Sequence, residues 1–336
     1  MTRAKIGVIL PLYGEKRASW EKISEYAKLA EALKYDSLWV PDHFINWTPW
    51  LRTEFLPKGV WTPEHLVRLT QKDAFALDGW TALSALATVT RTIRLGTYVS
   101  SNQFRHPSLL SKIVSTLDFI SNGRVELGIG AGWLKKEFEL FGLDWAPLRV
   151  RLERLREGIQ LMKALMTEDK ATFSGKYYNV KDAMMEPKPI QKPHPPIWVG
   201  GVMKEIMEIT AELADGWIPE SLSPQEFSAG IRFIREKAKE LNRDPDNLSM
   251  AWGGGDLYNF VAEDEASLKK MTQPLLDATG KTVESLPWII GTTDQCTKKI
   301  ESYVQAGATH IVLGFPDFPS THSLELFSKN ILPNFM

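Results

Sequence analysis

One cysteine in 336 residues, Cys296, leaves no partner for an internal disulfide and no multi-cysteine metal site. A surplus of charge is also missing. With 40 basic residues against 41 acidic ones, no net field steers the chain toward nucleic acid or an anionic membrane, and no basic run is interleaved with aromatics. Long apolar runs are absent too: Met1-Thr2-Arg3-Ala4-Lys5 leads into a run of only a few apolar residues, too short for a signal core or a membrane span, which reads as a first strand. His65, His194, His310 and His322 show no ligand spacing among themselves and read as surface or helix-end side chains, so no metal is expected. There is no low-complexity tract and no repeat beyond a strand-helix period. What remains is the expectation of a small-molecule partner in a reducing cytoplasm, with no nucleic-acid or membrane partner.

The hydrophobic fraction of 43% is enough for one large core, and a single domain over residues 1–336 is expected. Short β-branched runs alternate with amphipathic stretches. Eight strands are predicted, at Ile6 to Leu10, Ser37 to Pro41, Ile93 to Val99, Arg124 to Ile129, Pro196 to Val199, Gly216 to Pro219, Leu248 to Trp252 and Ile311 to Phe315. The intervening helices carry recognisable ends. Pro107 suits a first turn, Ser223-Pro224-Gln225-Glu226 and Thr292-Thr293-Asp294-Gln295 resemble capping boxes, and Gly123 and Gly307 suit C-terminal stops. Eight β-then-α units argue for a closed (β/α)8 TIM barrel over an open doubly wound sheet. Insertions are expected after strand 2 (Ile45 to Leu77, rich in tryptophan and proline), before strand 5 (Lys170 to Pro196, a hairpin with a proline-rich lead-in) and after strand 7. The run Arg149 to Arg156 repeats arginine at helical spacing and reads as a solvated helix face.

In such a barrel the carboxyl ends of the strands carry the chemistry, and several unusual residues fall there. Asp42 and His43 follow strand 2, Tyr98-Val99-Ser100-Ser101-Asn102 ends strand 3, Gly130-Ala131-Gly132-Trp133 follows strand 4, and Gly200-Gly201 follows strand 5. Small residues admit a flat ligand close to the backbone and aromatics supply stacking faces, which together describe a slot for a planar ring. The helix from Val202 to Leu213 would point free amides at a cofactor phosphate. On residue types alone each feature has a plainer reading: an Asp-His pair equally supports a loop, a glycine-rich strand end equally relieves crowding, and Gly200-Gly201 also suits a tight turn. Trp47, Trp133, Trp252 and Trp288 are placed near the mouth, as a substrate pocket.

Five blocks in order carry a resemblance: Trp39-Val40-Pro41-Asp42-His43-Phe44 with Trp47; Arg94-Leu95-Gly96-Thr97 followed by Phe104-Arg105-His106-Pro107; Gly123 through Trp133; Pro187-Lys188-Pro189 with Pro195 through Gly201; and Ala214-Asp215-Gly216-Trp217. The chain resembles the bacterial luciferase-like monooxygenase superfamily, and within it the oxidoreductases that use the deazaflavin coenzyme F420. Flavin mononucleotide (FMN) users share most of the same blocks. The resemblance implies that Asp42 hydrogen-bonds the polar end of the deazaflavin ring, that His43 is the acid/base beside the hydride-accepting carbon, and that Trp47 closes over substrate. It also implies a non-proline cis peptide at Tyr98-Val99 forming a bulge behind the ring. Ser101 or Asn102 and the Gly200-Gly201-Val202 turn would contact the cofactor's side chain and phosphate. Relatives commonly pair through helices 2 and 3, which implies a homodimer.

Two departures bear on substrate. The sugar-phosphate dehydrogenases of that branch place a second proton-transfer glutamate after the strand 4 glycines, where this chain has Trp133, and their phosphate-binding basic positions are here Leu222 and Pro287. The expectation is therefore hydride transfer between F420 and a small, non-phosphorylated alcohol, carbonyl or enone. The alternatives are an FMN-dependent two-component monooxygenase served by a separate flavin reductase, and a flavin-binding barrel with no catalysis of its own.

Overall fold

The structure, a computed structural model, describes residues 3–13, 19–46, 75–255, 258–279 and 281–336. Most of the first expected insertion, with Trp47, Trp50 and Trp61, and also His65, lies outside the described residues.

Eight parallel strands close on themselves: β1 (Lys5–Ile9), β2 (Ser37–Val40), β3 (Arg94–Thr97), β4 (Val125–Gly130), β5 (Ile197–Val199), β6 (Gly216–Trp217), β7 (Ser249–Gly253) and β8 (His310–Gly314). Each pairs with the next, and β8 returns to β1 through Lys5↔His310 to Ile9↔Gly314. This is the expected (β/α)8 TIM barrel, and its closure puts every strand's carboxyl end on one rim. β3 stops at Thr97, where the cis peptide Tyr98–Val99 interrupts the ladder; Ser100–Ser101 then resumes pairing with Ile129 and Gly130 of β4.

Period-two alternation sorts the strand side chains into two layers. Ile9, Trp39, Trp198, Ile218, Ala251 and Val312 meet inside the barrel, whereas Ile6, Val8, Leu38, Val40, Leu127, Ile129, Met250 and Trp252 join the layer between sheet and helices. The interior holds two indoles, and glycine makes room for each. Trp39 lies opposite Gly96 on β3, and Trp198 lies beside Gly216 on β6. The two rings meet edge to face at 6.0 Å. Their N–H groups are satisfied by Ser37 Oγ (2.8 Å) and by Glu126 Oε2 (2.6 Å). Glu126 is itself paired with Arg94, and burial still pushes its carboxyl above the usual carboxylate range.

The helices begin and end largely where the chain signals. Those flanking the site are α1 (Trp20–Ala32), α2 (Gly79–Val89), α3 (Pro107–Ser121), α4 (Lys135–Leu140), α5 (Leu148–Thr167) and α6 (Lys204–Leu213); α7 (Pro224–Glu240), α8 (Glu265–Thr279), α9 (Thr293–Gln305) and α10 (His322–Asn330) complete the order. Ser223 and Thr292 make the expected capping boxes of α7 and α9. After α3 the chain passes through Asn122 and Gly123, both left-handed, at φ of 58° and 79°. The second insertion holds the antiparallel hairpin Ala171–Ser174 with Asn179–Ala183, and the third holds α8 and a small parallel sheet of Phe260–Ala262 with Ile290–Thr292.

Four expectations are corrected. Trp252 lies on the outward parity of β7, fully buried and stacked on Tyr303 at 4.3 Å, so it packs between sheet and helix and not at the mouth. His194 and His310 are buried rather than on the surface: His194 Nδ1 lies 2.9 Å from the Pro195 carbonyl oxygen, and His310 packs against Trp198. Arg151, within the supposed solvated face, is buried over the Trp145 ring. No helix among the described residues is long and apolar enough to cross a membrane.

The glycine-tryptophan fit predicts its own cost of violation. A Cβ added at Gly96 would lie 2.5 Å from the Trp39 ring, between two strands that cannot separate without opening the barrel. Gly96→Ala is expected to lose about 1–3 kcal/mol of stability by overpacking, read as a lower urea midpoint with unchanged slope.

Candidate active site

The rim is built first from the turn after β2. Pro41 ends the strand without offering a donor, and Asp42 and His43 follow. Asp42 is buried, and both of its oxygens accept from the Arg105 guanidinium, Oδ2 from Nη1 at 2.6 Å and Oδ1 from Nη2 at 3.1 Å. Arg105 also pairs with Asp78, the residue that caps α2 by accepting from Thr81 N. Burial alone would weaken the guanidinium's hold on its proton; the two carboxylates outweigh it and raise its pKa above the ordinary value. Asp42 thus ties β2 to the start of α2 and to the loop before α3.

His43 is largely buried, and its Nδ1 lies 2.9 Å from Glu137 Oε2. Glu137, fully buried on α4, accepts with its other oxygen from the backbone amides of Phe44 (2.5 Å) and Ile45 (3.4 Å). The Trp133 ring meets the imidazole edge-on at 5.7 Å. Glu137 escaped the sequence reading because it is 94 residues from His43. Its only local signal was a carboxylate four residues beyond Trp133, one helical turn along.

The segment carrying Trp133 and Glu137 is held from below. Arg151 donates to the carbonyls of Gly132 and, at 3.1 Å, of Ala146, so this arginine fixes the loop between β4 and α5. Beside it runs an aromatic ledge. Phe44 packs on Phe104 (4.7 Å) and Phe141 (5.0 Å), and Phe138 joins Phe104 to Trp145. Phe44, Phe141 and Trp133 keep a third or more of their surface exposed.

The bulge at Tyr98–Val99 sits over the barrel interior, half-buried. The glycines below it have a different duty from the one expected. Ideal Cβ atoms at Gly130 and Gly200 would come within 3.2 and 2.9 Å of the Val99 methyls, so these glycines receive Val99, and a planar ligand would lie on Val99 rather than on their backbone. Ser101 is buried beside Gly132, at the rim. Asn102 turns the other way: its Nδ2 donates to Arg154 O and to the Tyr178 hydroxyl, and Gly158 of α5 makes room for it, so the side chain is committed to the helix and the hairpin.

Across the mouth, Gly200, Gly201 (φ 127°) and Val202 lead into α6, whose N-cap residue Met203 makes no side-chain hydrogen bond to the first turn. Opposite lies a corner without basic side chains from Leu222 or Pro287. The Tyr303 hydroxyl donates to the carbonyls of both residues, at 3.0 and 2.7 Å, which brings the two positions together. Trp288 stacks on Tyr258 at 4.2 Å, and its indole N–H donates to Ser221 Oγ. The rim therefore assembles His43, Glu137, Trp133, Tyr98, Val99 and Ser101, with Trp288 on the corner beside Ser221. These features fit a planar ring with an anionic tail: a half-exposed apolar bulge as a floor, and an uncapped helix start for the anion.

The sequence is 26% identical to the F420-dependent glucose-6-phosphate dehydrogenase of Amycolatopsis mediterranei over 339 residues, covering 92% of each chain. It is 32% identical to the FMNH(2)-dependent dimethylsulfone monooxygenase of Pseudomonas putida over 132 residues, 39% of this chain and 36% of that one. The fold superposes with a TM-score of 0.79, at 20% identity and full coverage of both chains, on an F420-dependent secondary alcohol dehydrogenase in complex with an F420-acetone adduct. The model of the luciferase-like monooxygenase family matches residues 6–310, and the chain belongs to that family.

Proposed function

We propose that this protein is a coenzyme F420-dependent oxidoreductase that moves hydride between the deazaflavin and a small, non-phosphorylated alcohol, carbonyl or enone. The observation that carries this reading is the His43 imidazole, held on the rim between a buried carboxylate and an indole edge. Such a group is arranged to transfer a proton, and a merely supporting histidine has no need of that arrangement. When bound, the deazaflavin supplies a hydride acceptor or donor at one ring carbon. The chain's residues do the rest. Tyr98 and Val99 would support the ring, Ser101 and the Gly200-Gly201-Val202 turn with the start of α6 would hold the side chain and its phosphate, and His43 exchanges a proton with the substrate oxygen. Asp42, engaged by Arg105, anchors the turn that presents His43.

For the substrate, the combination of Leu222, Pro287 and Trp288 at one corner and the Phe44-Phe104-Phe141 ledge at the other supports an uncharged, partly apolar molecule over a sugar phosphate. F420 is preferred over FMN because several relatives matching 92% or more of the chain, such as the Amycolatopsis enzyme, are F420-dependent by name, whereas the FMNH(2)-dependent dimethylsulfone monooxygenase matches 39% of it. The His43–Glu137 pair weighs against a barrel that only binds flavin. Two copies pairing through α2 and α3 is in keeping with the outward side chains of Leu109, Phe119 and Ile120 on α3.

Titration of the protein with F420 and with FMN, followed by ligand fluorescence, is expected to give saturable binding of F420 and weaker binding of FMN; the reverse order would overturn the cofactor assignment. In F420-linked turnover of secondary alcohols, ketones and enones, His43→Asn should lower kcat by about 10²- to 10⁴-fold while F420 binding persists. Wild-type turnover in that variant would remove His43 from the chemistry. Arg105→Leu leaves two carboxylates without their shared cation, and is expected to cost about 3 kcal/mol or more, of which Asp42→Asn in the same chain restores part. Additive losses in a denaturation cycle would contradict the anchor.

A further inference from the structure

We propose that Glu137 is the positioning residue of this site: it holds His43 as the Nδ1–H tautomer, so that Nε2 is the nitrogen that exchanges the substrate's proton. For its catalytic consequence this rests on the reading of His43 given above; for the tautomer itself it stands on geometry alone. Glu137 Oε1 faces two peptide N–H groups, Phe44 at 2.5 Å and Ile45 at 3.4 Å. A peptide N–H only donates, so that oxygen is an acceptor. The second oxygen lies 2.9 Å from His43 Nδ1, in a side chain with no exposed surface. A buried carboxylate facing a bare ring nitrogen would set two acceptors against each other at hydrogen-bond distance, and donation from Nδ1 removes that conflict. The proton is thereby placed on Nδ1, and the lone pair on Nε2.

The surroundings keep the pair in register. Glu137 and Trp133 stand four residues apart on one short segment, so the carboxylate reaches Nδ1 while the indole edge meets the imidazole ring. Arg151 pins the carbonyl of Gly132 just before them. Oxidation of an alcohol would then send the O–H proton to Nε2 and the O–H electron pair into the carbonyl π bond, with the C–H electron pair leaving as hydride for the acceptor that a deazaflavin would supply. The imidazolium so formed keeps its Nδ1–H on the carboxylate, whose negative charge favours it. In the reducing direction, Nε2–H protonates the carbonyl oxygen as hydride arrives at carbon. Glu137 touches neither substrate nor cofactor in this scheme. Its part is to choose the nitrogen.

Glu137→Gln separates this role from simple packing. The two N–H groups of Phe44 and Ile45 still require an acceptor, so the amide oxygen takes their side and the NH2 turns to Nδ1, which must then accept. The side-chain volume and the hydrogen bonds survive, but the tautomer inverts to Nε2–H. The test is ¹⁵N NMR on histidine-labelled protein without cofactor, at a pH where the imidazole is neutral, with the His43 signals assigned from their loss in His43→Asn. Wild type is expected to show a protonated Nδ1 and a bare Nε2, and Glu137→Gln the opposite. With F420 and substrate, Glu137→Gln should lower kcat about 10²-fold or more with little change in KM, and Glu137→Asp should recover part of the loss. A wild-type Nε2–H tautomer, an unchanged tautomer in Glu137→Gln, or an inverted tautomer with wild-type kcat would each overturn the proposal. If the NMR pattern holds while F420 neither binds nor turns over, the functional reading has failed and the tautomer assignment stands.

Discussion

A single buried carboxylate couples backbone and imidazole at the rim. Glu137 terminates two peptide N–H groups of the turn after β2 and engages the imidazole that the same turn presents. With the carboxylate shared, turn conformation and ring orientation become one constraint. The arrangement needs α4 and the loop before it at a fixed height above the barrel. Arg151 provides that by donating to the carbonyls of Gly132 and Ala146.

The floor under this site is set by volume. A parallel barrel of eight strands encloses little space, and here two indoles fill much of it. Trp39 fits because Gly7 and Gly96 flank it on the neighbouring strands, and Trp198 because Gly216 stands beside it on β6. Higher up, Gly130 and Gly200 repeat the arrangement around Val99. The interior is thus packed up to the bulge, and His43 and Trp133 stand on the rim above it.

Charge is handled differently at the two ends of the barrel. At the amino end, Glu126 and Arg94 satisfy each other and the Trp198 N–H within the interior, which seals it. At the carboxyl end, Asp42 and Arg105 lie to one side as a brace, and the Phe44-Phe104-Phe141 ledge stands beside the His43–Glu137 pair. The corner opposite is drawn together by the Tyr303 hydroxyl, which donates to the carbonyls of Leu222 and Pro287.

The strand-helix period, the helix caps, the glycine stops and the rim positions of Asp42, His43 and Trp133 were legible in the chain, because each depends on residues within about a helical turn of one another. The homology blocks extended that reading to the bulge at Tyr98–Val99. What the chain did not disclose required strands to be neighbours. Parity within β7 sent Trp252 outward, Gly158 on α5 drew Asn102 to the helix, and Arg105 claimed the carboxylate of Asp42 from 63 residues away. Glu137 had only its spacing from Trp133 to mark it, since its burial and its partners His43, Phe44 and Ile45 come together only once β2 and the loop after β4 share a rim. Composition and periodicity determined that a barrel would form and that Asp42, His43 and Trp133 would stand at its rim. Only tertiary packing decided which acid would hold the histidine, because hydrogen-bond partnership is a matter of distance in space.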